Sequence, residues 1–318
     1  MQNTNLTLID FWNARARIAP HIRITPLEFS VSLSHKFNHE IYLKLENWQL
    51  TGSFKIRGAF NKLLTLSDEE KRRGVITASA GNHGLGVAHA CKILGIAGKI
   101  VVPVNASPAK IKALQNYKVE LIQSGQDYDE AEEFARHIQV EQGLTFVHGF
   151  SDPQIIAGQG TIALEILDVL PAAGSIVVPI GGGGLIAGVA LAAKSINPKI
   201  KIVGVQSEAS PAMFNSLRVG KPVETPIRET IADGLAGRFV TELNLKIIEE
   251  WVDDVLLVSE AAIKEAMRLV LESEHILIEG SAAVGLAAII ENKVSTSDKT
   301  VLILTGRNVA LPLLKTIV

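Results

Sequence analysis

The 318-residue chain has one cysteine, Cys91, which excludes an intrachain disulfide and a zinc cluster built on several thiolates. Its formal charge of −2 offers no electrostatic footprint for nucleic acid or an anionic membrane surface. No apolar run approaches the roughly 20 residues that a membrane-spanning helix needs. Met1 to Asp10 lacks the basic-then-apolar pattern of a secretory signal. Internal repeats, low-complexity tracts and Pro/Ser-rich linkers are missing as well. Aromatics are sparse, 10 Phe, 3 Tyr and 3 Trp against 26 Gly. These absences predict a soluble, cytoplasmic protein with neither nucleic acid nor membrane as a partner.

Hydrophobic residues make up 47% and charged residues 20%, near the globular average, which excludes disorder. At about 150 residues per domain the length predicts roughly two domains; without a linker they must share a compact interface. Short β-rich runs recur at 41–45, 75–78, 99–104, 119–124, 145–147, 175–180, 201–206, 255–258 and 300–304. Amphipathic stretches such as 129–142 and 261–273 lie between them. Runs that are apolar almost throughout mark strands covered on both faces of a parallel sheet, so the fold class is α/β, with helices packed on open sheets. In such folds ligands collect where strands lead into helices. Three junctions and one lysine segment then draw attention.

After the run at 175–180 come Gly181, Gly182, Gly183 and Gly184, then Leu185 and an Ala-rich helix. Without Cβ atoms, consecutive N–H groups can converge on one anion, and the helix N-terminus adds partial positive charge. The segment is a phosphate cradle, or else a turn that lets the helix close on the sheet. A G-x-G-x-x-A dinucleotide pattern also fits 182–187, but no acid ends a second strand at the expected offset, and no lysine follows for a Walker-type loop. After 75–78 come Ser79, Ala80, Gly81, Asn82 and His83. Small residues, a hydroxyl and free N–H groups at a helix start suit a carboxylate, and equally suit a plain helix cap. Asn82 can donate and accept. His83 has no second histidine at metal-ligand spacing and, by itself, reads as a structural hydrogen-bonder. Lys55, just after Gly52 and Phe54, is either a solvated helix lysine or, with burial, a nucleophile toward carbonyls. Thr305 could bond a ligand ring nitrogen or cap the next turn.

Taken together, Thr51-Gly-Ser-Phe-Lys-Ile-Arg-Gly58, Ser79-Ala-Gly-Asn-His83 and Gly181-Gly-Gly-Gly-Leu185 resemble, in order and spacing, the motifs of a known family. They are similar to the cofactor-lysine, substrate-carboxylate and phosphate loops of the pyridoxal-phosphate enzymes of the tryptophan-synthase β-subunit fold (fold type II). The chain looks most like the serine/threonine dehydratases, over nearly its whole length. The resemblance implies two open parallel-sheet α/β domains with pyridoxal 5'-phosphate between them, 1–47 with 147–318 forming the large one and 48–146 the small one. Lys55 would hold the cofactor as an internal aldimine, with Phe54 packed near the ring. Asn82 would bond the phenolic oxygen, and Gly181, Gly182, Gly183, Gly184 and Leu185 the phosphate. Gly234 and Glu279 would line the cavity, and Thr305 would face the pyridine nitrogen. Ser79, Ala80, Gly81 and His83 would surround the substrate carboxylate. A neutral hydroxyl cannot hold the pyridine nitrogen protonated as a carboxylate would, which suits loss of a β-substituent better than transamination.

The implied activity is an ammonia-lyase that converts a β-hydroxy amino acid, L-threonine or L-serine foremost, to a 2-oxo acid and ammonia. Other β-hydroxy substrates (3-hydroxyaspartate, phenylserine, a hydroxyectoine breakdown intermediate), serine racemisation and a catalytically silent ligand-binding protein are the alternatives. Racemases of this fold place a second serine where this chain has Ala80, which favours dehydration. Relatives with a divalent cation carry acids where this chain has Gln206 and Ala212, so no metal is expected, Glu208 being a lone substitute. The Ser-Gly-Gly-Asn loop of relatives reads Thr305-Gly-Arg-Asn308 here; Arg307 either meets an acidic or larger substrate or points outward. The family leads one to expect a dimer or tetramer. The short stretch after Thr305 leads one to expect no regulatory domain.

Overall fold

The computed structural model describes residues 6–294 and 299–317. Ten strands are described: β1 (Leu27–Phe29), β2 (Glu40–Lys44), β3 (Val75–Ala78), β4 (Gly98–Val102), β5 (Glu120–Gln123), β6 (Thr145–Phe146), β7 (Ser175–Pro179), β8 (Lys201–Ser207), β9 (Asp254–Val258) and β10 (Lys299–Ile303). They form a six-stranded sheet in the order β1-β2-β10-β7-β8-β9 and a four-stranded sheet in the order β5-β4-β3-β6. Every pairing is parallel except β1 with β2. Nine strands match the apolar runs to within two residues at either end. The antiparallel edge strand β1 leaves no trace in the apolar pattern, because Leu-Glu-Phe is too short and too exposed to carry one.

Two-residue periodicity decides which helices cover which face. Ile176 and Val178 of β7 join a core with Phe11 and with the helices Pro153–Val169, Gly184–Ile196 and Glu242–Trp251, whereas Val177 joins the opposite core with the helices Glu260–Glu274 and Gly280–Ile290. The helices Lys55–Leu64 and Asn82–Leu94 cover one face of the smaller sheet, and Tyr128–Gln142 the other. The helix Pro153–Val169 is the hub. A Cβ on Gly158 would fall 2.7 Å from the Arg57 carbonyl oxygen, and one on Gly188 would fall 2.3 Å from that of Ile156. Glycine here lets three backbones approach closely enough to seat both the Lys55 helix and the helix after the glycine run.

In the large sheet the strand order reverses between β7 and β10; in the small sheet it reverses between β3 and β6. Such reversals open a crevice at the carboxyl ends of the strands. Four loops issue there: Gly181–Gly184 after β7, Thr305–Asn308 after β10, Ser79–Gly81 after β3 and Val147–Phe150 after β6.

Candidate active site

Lys55 opens the helix Lys55–Leu64 directly after its N-cap, Phe54. The entering segment is laced to the loop after β10: Ser53 bridges Gly306, Phe54 N donates to Thr305 O (3.1 Å), and Arg307 N donates to Gly52 O (2.9 Å). Gly52 sits at φ +76°, where side-chain-bearing residues are strained. The Lys55 Nζ donates to Gly149 O at 2.8 Å and stands 5.2 Å from the centre of the Phe54 ring. The side chain as a whole is half-buried. Burial pushes its pKa down to about 8, against the pull of the Glu279 carboxylate, so a share of the amine is unprotonated near neutral pH. That is the form in which a lysine adds to carbonyls.

The glycine run connects β7 to the helix Gly184–Ile196, whose N-cap, Gly183, has φ +91°. None of the N–H groups from Gly181 to Leu185 donates to another described residue. A Cβ on Gly182 would lie 2.4 Å from the Phe150 ring, and one on Gly184 2.4 Å from the Phe150 carbonyl oxygen. Only glycine fits, and a row of amides at a helix N-terminus is left to bind an anion.

Gly81 caps the helix Asn82–Leu94 without a side-chain hydrogen bond, so neither Ser79 nor Asn82 acts as an ordinary N-cap. The Ser79 hydroxyl instead accepts from Gly81 N (3.2 Å), and a Cβ built on Gly81 would meet nothing within 4 Å. The backbone at Gly81 therefore borders open space. Ala80 leans on the core beneath it. His83 bonds Val147 O through Nε2 (3.0 Å), while its buried Nδ1 has no partner among the described residues. Burial, reinforced by the Lys55 charge, lowers its pKa to about 3, so the ring stays neutral.

Asn82 Nδ2 donates to Glu279 Oε1 (2.7 Å), and Asn82 Oδ1 accepts from Asn308 Nδ2 (2.6 Å). Asn308 also donates its backbone N–H to Glu279 Oε2 (3.0 Å) and its amide to Thr51 O (2.9 Å). Glu279 is buried at the N-cap of the helix Gly280–Ile290. Burial, and then the Asp233 charge, push its pKa up to about 7. Gly306 and Gly234 leave room beside it: a Cβ on the first would lie 2.5 Å from Glu279 Oε1, and one on the second 2.7 Å from Ser281 Oγ. Lys110 pairs with Asp233 (2.7 Å), and Arg238 pairs with Asp127 (2.9 Å) and Asp129, tying the Gly234 segment to the smaller sheet's side.

The structure thus brings Phe54, Lys55, Asn82, Glu279 and the segment Thr305–Asn308 into one connected wall, with the glycine run reached through Gly149 and Phe150. Thr305 is buried just past β10. Arg307 is half-buried, and its guanidinium makes no ion pair with a described residue. Gln206 bonds Phe214 N (2.8 Å) and Ser210 O (3.3 Å), and the Glu208 carbonyl accepts from Arg228 (2.7 Å). The residues missed from sequence are Asn308, Gly149, Phe150 and Asn244. Asn308 closes the segment Thr305-Gly-Arg-Asn308. The other three carry no local signal, because they act through backbone contacts or across more than 60 residues of chain.

Pyridoxal phosphate presents a phosphate, an aldehyde, a phenolic oxygen and a ring nitrogen. The chain presents unpartnered amides, a buried amine of lowered pKa, a carboxamide and a buried threonine, and that donor set fits. The family model described as "Pyridoxal-phosphate dependent enzyme" matches residues 18–306. An L-threonine ammonia-lyase of Thermotoga maritima is 43% identical over 313 residues, covering 98% of this chain and 78% of that protein. Among solved structures, maize serine racemase superposes with a TM-score of 0.93 at 38% identity, covering 98% of this chain and 96% of that one. A threonine deaminase from T.th. superposes with a TM-score of 0.90 at 37% identity, covering 96% of this chain and 99% of that one. With the fold, the loops and these relatives in agreement, the chain belongs to the pyridoxal-phosphate dependent enzyme family.

Proposed function

We propose that this protein is a pyridoxal-phosphate dependent ammonia-lyase (dehydratase) that converts a β-hydroxy amino acid, L-threonine or L-serine first, to a 2-oxo acid and ammonia. The observation that carries the reading is the enclosed Lys55 amine, bonded to Gly149 O at 2.8 Å, beside a row of unpartnered glycine amides. When bound, the cofactor supplies an electron-withdrawing ring conjugated to the substrate amine, which acidifies the α-hydrogen. The amides of Gly181 to Leu185 hold its phosphate, and Asn82, steered by Glu279 and Asn308, addresses its phenolic oxygen. Ser79, Ala80, Gly81 and His83 receive the substrate carboxylate, largely through backbone N–H groups. Lys55 Nζ takes the α-proton, for which its lowered pKa suits it near neutral pH. Net, water leaves across Cα–Cβ and hydrolysis then releases ammonia.

Ala80 argues for elimination over racemisation. At the position where racemases of this fold carry a second serine, the methyl group of Ala80 can neither give nor take a proton. Residues 1–47 with 147–318 and residues 48–146 are assigned to a large and a small domain, and the protein to a cytoplasmic dimer or tetramer, which light scattering and cell fractionation check.

The test is a spectrum and an assay. Purified protein with pyridoxal phosphate should show a visible absorption band that borohydride abolishes and Lys55→Ala lacks. It should release 2-oxo acid and ammonia from L-threonine or L-serine. A protein that stays colourless with added cofactor refutes the reading. Ala80→Ser should raise racemisation; no change would remove the argument from that position.

A further inference from the structure

Asn244 lies in the first turn of the helix Glu242–Trp251, three residues past its N-cap, Thr241, whose hydroxyl accepts from Asn244 N (3.4 Å). The helix start therefore does not need the Asn244 side chain. That side chain turns inward, fully buried. Its Nδ2 donates to Gly182 O (2.6 Å) and to Phe150 O (3.2 Å). Both neighbours are acceptors, so the nitrogen must face them. Its Oδ1 is buried without a partner among the described residues. An unsatisfied buried carbonyl costs stability, and an apolar side chain would avoid that cost. The amide has to be explained by what its nitrogen does.

The peptide joining Gly182 to Gly183 is planar and trans, so its C=O and N–H point in opposite directions. Anchoring the Gly182 oxygen on Asn244 turns the Gly183 N–H the opposite way. Gly183 at φ +91° could otherwise flip this peptide with little steric resistance. The same carboxamide fastens Phe150 O, the atom 2.4 Å from where a Cβ on Gly184 would stand, and so joins the glycine run to the loop whose Gly149 O receives Lys55.

We propose that Asn244 is a positioning residue for the phosphate loop, fixing the Gly182–Gly183 peptide so that the Gly183 N–H is aimed at the bound anion. The inference rests on the cofactor reading above and extends it to a residue that does not touch the ligand.

The test measures binding to cofactor-free full-length protein by absorbance titration, for wild type, Asn244→Ala and Asn244→Ser. Three probes are used: pyridoxal phosphate, pyridoxal (which lacks the phosphate) and orthophosphate competing with the cofactor. In Asn244→Ala, affinity for pyridoxal phosphate and orthophosphate should fall about 10- to 100-fold, the loss expected when one charge-assisted hydrogen bond is misdirected. Affinity for pyridoxal should change less than about twofold, and Asn244→Ser, which restores a donor, should recover part of the loss. Unchanged pyridoxal phosphate affinity in Asn244→Ala overturns the proposal. So does an equal loss for pyridoxal and its phosphate, which would mean general loosening. Wild-type protein that binds none of the probes would instead bring down the cofactor reading itself.

Discussion

Arg57, two residues beyond Lys55, is fully buried between two carboxylates. Its Nε and one terminal nitrogen donate to Glu46 (both 2.8 Å), and its terminal nitrogens donate to Glu165 (2.7 and 2.8 Å) and to the Thr161 hydroxyl (3.2 Å). Lys44 donates to Glu165 (2.5 Å) and Thr25 O (2.6 Å), and the Thr25 hydroxyl donates to Glu46. The cluster balances two cations against two anions and joins β2, the hub helix and the Lys55 helix. Arg57→Met would leave Glu46 buried with the Thr25 hydroxyl as its remaining side-chain donor among the described residues. Breaking a buried pair from one side costs about 3–5 kcal/mol. At roughly 2 °C per kcal/mol for a chain of this size, Tm should fall by about 6–10 °C. Differential scanning fluorimetry reads this directly. The informative companion is Arg57→Met with Glu46→Leu. It removes the stranded charge and keeps the Lys44–Glu165 pair, so it should recover most of the loss, since a buried ion pair adds little over apolar packing. Acid supplies a second check. Burial raises the Glu165 pKa, but the charges and hydrogen bonds of Arg57 and Lys44 outweigh that and hold it below its ordinary value. A depressed carboxylate contributes stability that is present above its unfolded pKa and lost as pH falls through the folded one. The gap between wild type and Arg57→Met should therefore narrow in acid. A Tm shift under about 2 °C for Arg57→Met, or a double variant no better than the single one, would refute the reasoning.

Glu279, with its pKa pushed up to about 7, behaves in the opposite sense. Its contribution is complete below the ordinary glutamate pKa and declines as pH rises through 7, so the stability of cofactor-free Glu279→Gln relative to wild type should increase from pH 5 to pH 8. At about 1.4 kcal/mol per pH unit the increase is on the order of 3 kcal/mol, and a pH-independent difference would contradict it. Gly184→Ala places a methyl group against the Phe150 carbonyl, a backbone atom that cannot step aside; Tm should drop by an amount corresponding to about 1–3 kcal/mol, with loss of bound cofactor. The rate at which cofactor-free protein captures pyridoxal phosphate should rise with pH and level off above about 8, following the Lys55 amine; a rise continuing past pH 10 would show the amine to be unperturbed.

The amino-acid sequence by itself determined the α/β class, nine of the ten strands and the local chemistry of each loop. Apolar runs and glycine clusters are properties of neighbouring residues, and local sterics and burial patterns make them legible. It could not say that the Lys55 amine is held against Gly149 O, since a helix lysine reads alike in solvent or in a crevice. The signal that did exist was the alternation of Lys44 and Glu46 along the otherwise apolar segment 41–46, which marks charges that need a buried partner. Their partners, Arg57 and Glu165, lie up to 121 residues away. Only the tertiary structure decided that the strand-order reversals of the two sheets face one another. That placement puts Gly149 O under the Lys55 amine, Asn308 beside Asn82 and Asn244 behind Gly182. Each of these contacts joins segments distant in the chain, and their meeting depends on how two sheets pack around one glycine-notched helix, a global property that no local pattern of residues records.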